Sequence, residues 1–277
     1  MKISVIVVSY NMCAQLRRCL KALTIAGEYL DSEIIVVDRE STDLSVDTIM
    51  KEFPEVRLTI SGDNSTFSKA VNHGVRLSTG EYVVFIQPDV IAQKDSLAKA
   101  TDFMDIHVAA GGLGVRILDT EGNYLKESKK ILPRTWIAFF KLIGLARQFP
   151  KSRLTEMFTY HHDDEFETTE TDVLSNKFMV IRRSVLDTIG LFDERFTSYG
   201  NNIDLSYRIR LAGHKNYYYP KTFVIDRQTV QLAKFSPAHL KSFYGSMFIF
   251  AIKYFFSLPS LHIKSLQDIY PAYELKG

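Results

Sequence analysis

The stretch Ile3-Ser4-Val5-Ile6-Val7-Val8-Ser9-Tyr10-Asn11 constrains this chain more than any other. It is β-branched and almost wholly apolar, with no polar alternation after Ser4. A short continuous run of this kind suits a strand buried on both faces, as in a parallel sheet. It stops at Ser-Tyr-Asn, and a helical pattern follows in Leu16, Leu20 and Leu23, with Cys19 beside them. In an open α/β sheet, ligands bind in the crevice beyond the carboxyl ends of the strands. Ser9, Tyr10 and Asn11 are therefore the first candidates for a binding site. They could equally turn the chain and cap the helix, and position alone leaves both readings open.

The same alternation continues. Glu33–Asp38 reads as a second buried strand, and Ser41 or Thr42 can cap a helix over Ser45–Glu52. Leu58–Ser61 reads as a third strand, and Ser68–Leu77 as a helix with Ala70, Val71 and Val75 inward. Tyr82–Ile86 is a fourth buried strand, ending in Gln87-Pro88-Asp89-Val90. Strands alternating with helices, with carboxylates at the strand ends, describe a doubly wound nucleotide-binding half. Gly111–Leu118 continues the sheet, Asp119–Asn123 is a turn cluster, and Pro237–Phe256 is a helix rich in Phe and Tyr.

With 277 residues, 46% hydrophobic and 24% charged, the chain can bury a sizeable core. A net charge of +2 is too small to argue for a nucleic-acid partner. The two cysteines, Cys13 and Cys19, lie on one helical stretch at a spacing that suits neither a metal knuckle nor a disulfide, so a reducing cytoplasm is expected. The N-terminal apolar run is too short for a secretion signal, and no segment has the roughly 18 uncharged apolar residues of a membrane span. Trp136–Leu145 and Phe243–Phe256 are aromatic-rich, with Lys141, Lys241 and Lys253 nearby. They suit either core packing or a peripheral contact with a membrane or another protein, and Trp136–Leu145 could also cover the mouth of the site. His161-His162-Asp163-Asp164-Glu165 has the composition of a metal cluster but lies in a polar run, and reads as a solvated loop.

Several motifs resemble those of family 2 glycosyltransferases. Ile6–Asn11 is similar to the family's opening strand, and Val37-Asp38 with Ser41-Thr42-Asp43 to its "V-D-N-x-S-x-D" turn. Phe67, Ala70, Asn72 and Gly74 fall on "N-x-G-F-x-x-A-x-N-x-G", and Pro88-Asp89 on the "L-N-P-D" metal-binding turn. Gly190–Phe196, Tyr199-Gly200, Asp204–Arg208, Gly213 and Tyr218–Pro220 follow the later signature. The resemblance implies a GT-A-type α/β fold with a doubly wound, mostly parallel sheet. It covers residues 1–230, a nucleotide-binding half at 1–110 and an acceptor half at 111–230, with a helical extension at 231–277. It further implies inverting transfer from a nucleotide-sugar donor to a glycan or lipid-linked acceptor, assisted by Mg²⁺ or Mn²⁺, in the manner of rhamnosyltransferase-like enzymes of surface-polysaccharide assembly. Ser9, Tyr10, Asn11, Asp38, Arg39 and Asn72 would then hold the nucleotide, and Asp89 and Asp226 the metal.

The chain departs from the family where substrates are expected. Asn201-Asn202 stands in place of Glu-Asp, so the usual general base is an amide at Asn202. Asp204 remains, either as a helix N-cap or as a substitute base. Arg39 replaces Asn, Ser65-Thr66 an "x-G" pair, and Gln87 an Asn. Asn176-Lys177 replaces Gly-Ala, and Asp226-Arg227 replaces His-Tyr. Lys177 or Arg227 could offset diphosphate or acceptor charge without a metal. Two expectations follow: an active glycosyltransferase with a rearranged site, or a catalytically silent relative that binds a nucleotide sugar, a glycan or a partner enzyme.

Overall fold

A computed structural model describes residues 1–62, 66–129, 164–197, 199–227 and 237–256. Strand β1 (Ile3–Ser9) is buried along its whole length and pairs in parallel with β2 (Ser32–Asp38) on one side and β4 (Tyr82–Ile86) on the other. Strand β3 (Arg57–Ile60) extends this parallel flank beside β2. The continuous apolar run has its cause in two covered faces. Ile3, Val5 and Val7 pack with Leu16, Leu20 and Leu23 of helix α1 (Cys13–Gly27). Ile6 and Val8 pack with Ala70, Val71 and Val75 of helix α3 (Phe67–Leu77). Helix α2 (Ser45–Glu52) lies between them in sequence. Gly74 permits the close approach of α3, since a Cβ there would lie 2.8 Å from Ile6 Cγ2 and 3.0 Å from Val37 Cγ2.

The remaining elements are β5 (Val90–Ala92), α4 (Ser96–Ile106), β6 (Ala110–Leu118), β7 (Thr169–Glu170) and β8 (Phe178–Arg182). Helices α5 (Arg183–Ile189) and α6 (Asn201–Leu211) and strand β9 (Lys215–Asp226) follow. Among the described residues, nine strands form one sheet in the order β3-β2-β1-β4-β8-β6-β9-β5, with β7 against β9. The expected parallel arrangement holds for β1 to β4, while the other side of the sheet is mixed. Strand β8 runs antiparallel to β4, pairing Phe178 with Ile86. The loop before β8 is thus delivered to the edge where β1, β2 and β4 end. Strand β5 is antiparallel to β9, pairing Val90 with Asp226, which brings Asp226 to the turn after β4. The predicted nucleotide and acceptor halves share this single sheet.

Helix α7 (Pro237–Ala251) continues into a π-helical turn, Ile252–Phe256, close to the predicted helix. It packs on α6: Met247, Phe250 and Tyr254 are buried with Phe196 and Ile203. Tyr244, Phe248 and Ile252 face outward. The aromatic richness therefore serves a core on one face and leaves an exposed stripe on the other. Among the described residues, no helix is long and apolar enough to cross a membrane. Trp136–Leu145 and residues 161–163 lie outside the described residues; Glu165, from the same polar run, accepts from Arg116 at 2.9 Å.

Candidate active site

The loops after β1 and β2 are stitched to each other. Asn11 adopts a left-handed φ of 51°, and its Oδ1 accepts from the backbone N–H of Thr42 at 2.7 Å. Its own backbone N–H donates to Ser41 Oγ at 2.9 Å. Asp38 has no exposed surface. Its Oδ1 accepts from the Ser41 backbone N–H at 2.7 Å and its Oδ2 from the Ser41 hydroxyl at 2.6 Å. Neither Ser41 nor Thr42 caps α2, because both are committed to this stitching. The N-cap position is Leu44, which has no side-chain cap, and the Ser45 backbone N–H donates to Asp43 Oδ1 at 2.9 Å. Asn11 and Asp38 thus build the wall of the crevice. Its outer lip is Tyr10, 52% exposed, with the Arg39 guanidinium 5.5 Å from the ring centroid. Asn72, expected at the nucleotide, lies elsewhere. Its amide donates to the Phe192 carbonyl at 2.8 Å and accepts from the Phe192 N–H at 2.9 Å, tying α3 to the loop before α6.

The predicted metal residues meet a side chain rather than an open space. Lys177 Nζ donates to Asp89 Oδ2 at 2.9 Å and to Asp226 Oδ1 at 3.1 Å. The three side chains are 11%, 12% and 6% exposed. No cluster of three His, Cys, Asp or Glu suited to a metal ion occurs among the described residues. Divalent cations such as Mg²⁺ take oxygen ligands in near-octahedral array. The two carboxylates available here are already bridged by an ammonium, so as arranged they do not fit such an ion.

Beside this triad lies a cavity of about 370 Å³ lined by Gln15, Arg18, Asp89, Thr120 and Arg227, among others. That volume falls in the range of small-ligand sites. Two guanidiniums at one cavity suit a planar, bidentate grip on phosphate oxygens. Arg227 was an expected participant; Arg18 was not. It sits on the polar side of α1, opposite Leu16, Leu20 and Leu23, a place that no short motif marks. Cys19, also on α1, is buried, and burial first, then the charge of Asp89, pushes its thiol pKa up, so it stays protonated.

On the far side of the edge, helix α6 begins at Gly200, whose φ of 85° is a left-handed conformation suited to glycine. Asn202 is 3% exposed, and its Nδ2 donates to the Leu174 carbonyl at 2.7 Å. Asp204 is fully buried. Its Oδ1 accepts from Lys253 Nζ and from the Tyr254 hydroxyl, both at 2.7 Å, and its Oδ2 accepts from Arg208 Nε at 2.9 Å. Asp204 is therefore neither the N-cap, a position taken by Gly200, nor a free base. Burial and Asp204 together raise the pKa of Tyr254.

Buried polar atoms normally have partners. Ser9 Oγ, Asp89 Oδ1, Asn176 Oδ1 and Asn201 Nδ2 have none among the described residues. Ser9 ends β1, Asp89 lies in the turn after β4, and Asn176 before β8 donates to Asn201 Oδ1 at the start of α6 at 3.1 Å.

The chain is 27% identical to the N-acetylglucosaminyl-diphospho-decaprenol L-rhamnosyltransferase of Mycobacterium tuberculosis over 259 residues, covering 89% of this chain and 82% of that one. In fold it is similar to TarS of S. aureus, with a TM-score of 0.62, 19% identity, and coverage of 91% of this chain but only 39% of that one. TarS has also been solved with UDP-GlcNAc. A mannosyltransferase from Pyrobaculum calidifontis, in complex with GDP-Man and Mn²⁺, gives a TM-score of 0.55 at 18% identity, covering 81% of this chain and 56% of that one. The last two likenesses concern the fold. The sequence profile of the family described as "Glycosyl transferase family 2" matches residues 4–190, more than half of the chain, with the crevice loops and the Asp89 turn inside the match. On that match, this chain belongs to glycosyl transferase family 2.

Proposed function

We propose that this chain binds a nucleoside-diphosphate sugar at the carboxyl edge of its sheet but lacks an efficient transfer step. One observation carries the second half of this reading. The position of the acceptor-side base is Asn202, an amide held on the Leu174 carbonyl, while the neighbouring carboxylate, Asp204, is closed off by Lys253, Tyr254 and Arg208. General base catalysis contributes about 10²–10⁴-fold, so its loss slows transfer by that factor. For the donor, Tyr10 offers a face on which a base can stack, with Arg39 beside it. Asp38 holds the loop beneath them, and Arg18 and Arg227 receive the diphosphate. The relative that acts on a lipid-linked N-acetylglucosamine diphosphate supports a role in surface-polysaccharide assembly, with a glycan or lipid-linked partner on the acceptor side. A second reading, an active glycosyltransferase with its base elsewhere, is favoured by the open cavity that retains Asp89.

Titration calorimetry with UDP-, GDP- and dTDP-sugars tests the donor half. At least one should bind, and Arg227→Ala and Tyr10→Ala should each weaken it. Failure of every donor to bind defeats the proposal. Release of nucleoside diphosphate in the presence of acceptor tests the other half: an ordinary rate, about 1–10³ s⁻¹, overturns the silent reading and establishes the active one.

A further inference from the structure

We infer that Lys177 is the resident cation of this site: its ammonium occupies the place between Asp89 and Asp226 that a divalent ion would need, and a nucleoside diphosphate is held there without metal. The inference rests on the donor-binding reading above, but its central measurement does not.

The geometry is that of a cation bridge. Nζ lies 2.9 Å from one carboxylate and 3.1 Å from the other, so the ammonium satisfies two acids that come together only through the pairing of β5 with β9. Among the described residues, these acids take two of its three N–H groups, which leaves one for a ligand oxygen. The lysine cannot readily withdraw. Its own carbonyl accepts from the Gln87 N–H at 3.2 Å, fixing its backbone to the end of β4, and its side chain is 11% exposed.

Charge argues the same way. Among the described residues at the site, Asp89 and Asp226 supply two negative charges, whereas Lys177, Arg18 and Arg227 supply three positive ones. The site is therefore already net positive, as an anion requires. A dication placed between the same carboxylates would sit against the ammonium, a like-charge contact in a largely buried place. Metal and Lys177 therefore exclude each other. Asp89 lines the cavity, and its Oδ1 is buried with no partner among the described residues.

Mn²⁺ titration followed by electron paramagnetic resonance decides this without any nucleotide. The native chain should leave Mn²⁺ free, whereas folded Lys177→Met, which keeps the length but not the charge, should take up one ion per chain. Adding Asp226→Asn to that variant should abolish the uptake. Uptake by the native chain that Asp226→Asn removes would overturn the inference, as would a folded Lys177→Met that binds none. A second measurement needs only the native chain: calorimetry with UDP and GDP, with EDTA or with Mg²⁺, should give affinities within about twofold, since no counterion is needed beyond the side chains. A loss of more than tenfold in EDTA would also overturn it. If neither nucleotide binds under any condition, the donor reading fails, and the Mn²⁺ titration still decides whether Lys177 holds the cation's place.

Discussion

Among the described residues, Lys177 and Lys253 are each held by two aspartates, in different surroundings. Lys177 lies between Asp89 and Asp226; Lys253 lies between Asp193 and Asp204. Their exposures are nearly equal, at 11% and 14%. The oxygens around them differ. At Lys253 the carboxylates are saturated: Asp204 also accepts from Tyr254 and Arg208, and Asp193 from Arg195. At Lys177, Asp89 keeps a buried Oδ1 with no partner among the described residues, and the residue lines a cavity with Arg18 and Arg227. Burial and composition therefore do not tell a staple from a site. The unused lone pair and the open space beside it do.

The sharpest way to break this comparison is Lys253→Met. It leaves Asp193 and Asp204 buried without their shared cation, and unfolding in urea should show a loss of about 3–5 kcal/mol. Next comes Tyr254→Phe, which removes one donor to a charged acceptor and should cost about 1.5–3 kcal/mol by the same measurement. Lys177→Met should cost less, about 0.5–1.5 kcal/mol, because Asp89 can rehydrate through the cavity. If it costs as much as Lys253→Met, the two clusters are the same kind of object and the distinction fails. The smallest effect is in acid. Burial favours a neutral Asp193, but Arg195 and Lys253 outweigh it and hold the carboxyl well below the usual range. Its contribution is therefore complete above the unfolded value near pH 4 and is lost as pH falls below that. Stability between pH 4 and pH 2 should fall more steeply in the native chain than in Lys253→Met.

Asn202→Asp sharpens the contrast from the catalytic side. The resemblance alone suggests that a restored carboxylate restores the base. In the structure, that carboxylate would face the Leu174 carbonyl that Asn202 now contacts at 2.7 Å. Two acceptors at that distance repel, so the substitution should cost about 1–3 kcal/mol and leave transfer unchanged. A hundredfold gain in product release would show that the side chain turns into the cleft and that only the base is missing.

The first flank of the sheet is legible in the sequence for a simple reason. Strands covered on both faces need unbroken apolar runs, and β1, β2 and β4 fall within a residue or two of the expected limits. The family-bearing loops are likewise recognisable because their polar residues bond locally, as Asp38 does with Ser41. What escaped are pairings made across the fold. Lys177 finds Asp89 at a separation of 88 residues and Asp226 at 49, so its sequence context shows a bulky replacement and not its partners. Asn72 reads as a nucleotide contact because it sits in a substrate-side motif, yet its partner is Phe192, 120 residues away. Lys253 reads as a charge beside an aromatic-rich stretch and is in fact the cation that this stretch delivers to two buried acids.

That delivery has a consequence in time. Asp204 precedes Lys253 by 49 residues, and Asp193 precedes it by 60. At a synthesis rate of about 5–20 residues per second, several seconds pass between the appearance of the acids on the ribosome and that of their lysine. During that interval α6 has neither the Lys253 cation nor the Tyr254 hydroxyl of the π-helical turn, and the apolar surface of Phe196 and Ile203 lacks part of its cover. Among the described residues, helix α6 is thus secured only once Lys253 and Tyr254 have appeared, and a chain stalled before residue 253 presents a complete β1–β4 flank beside a helix that lacks its cover.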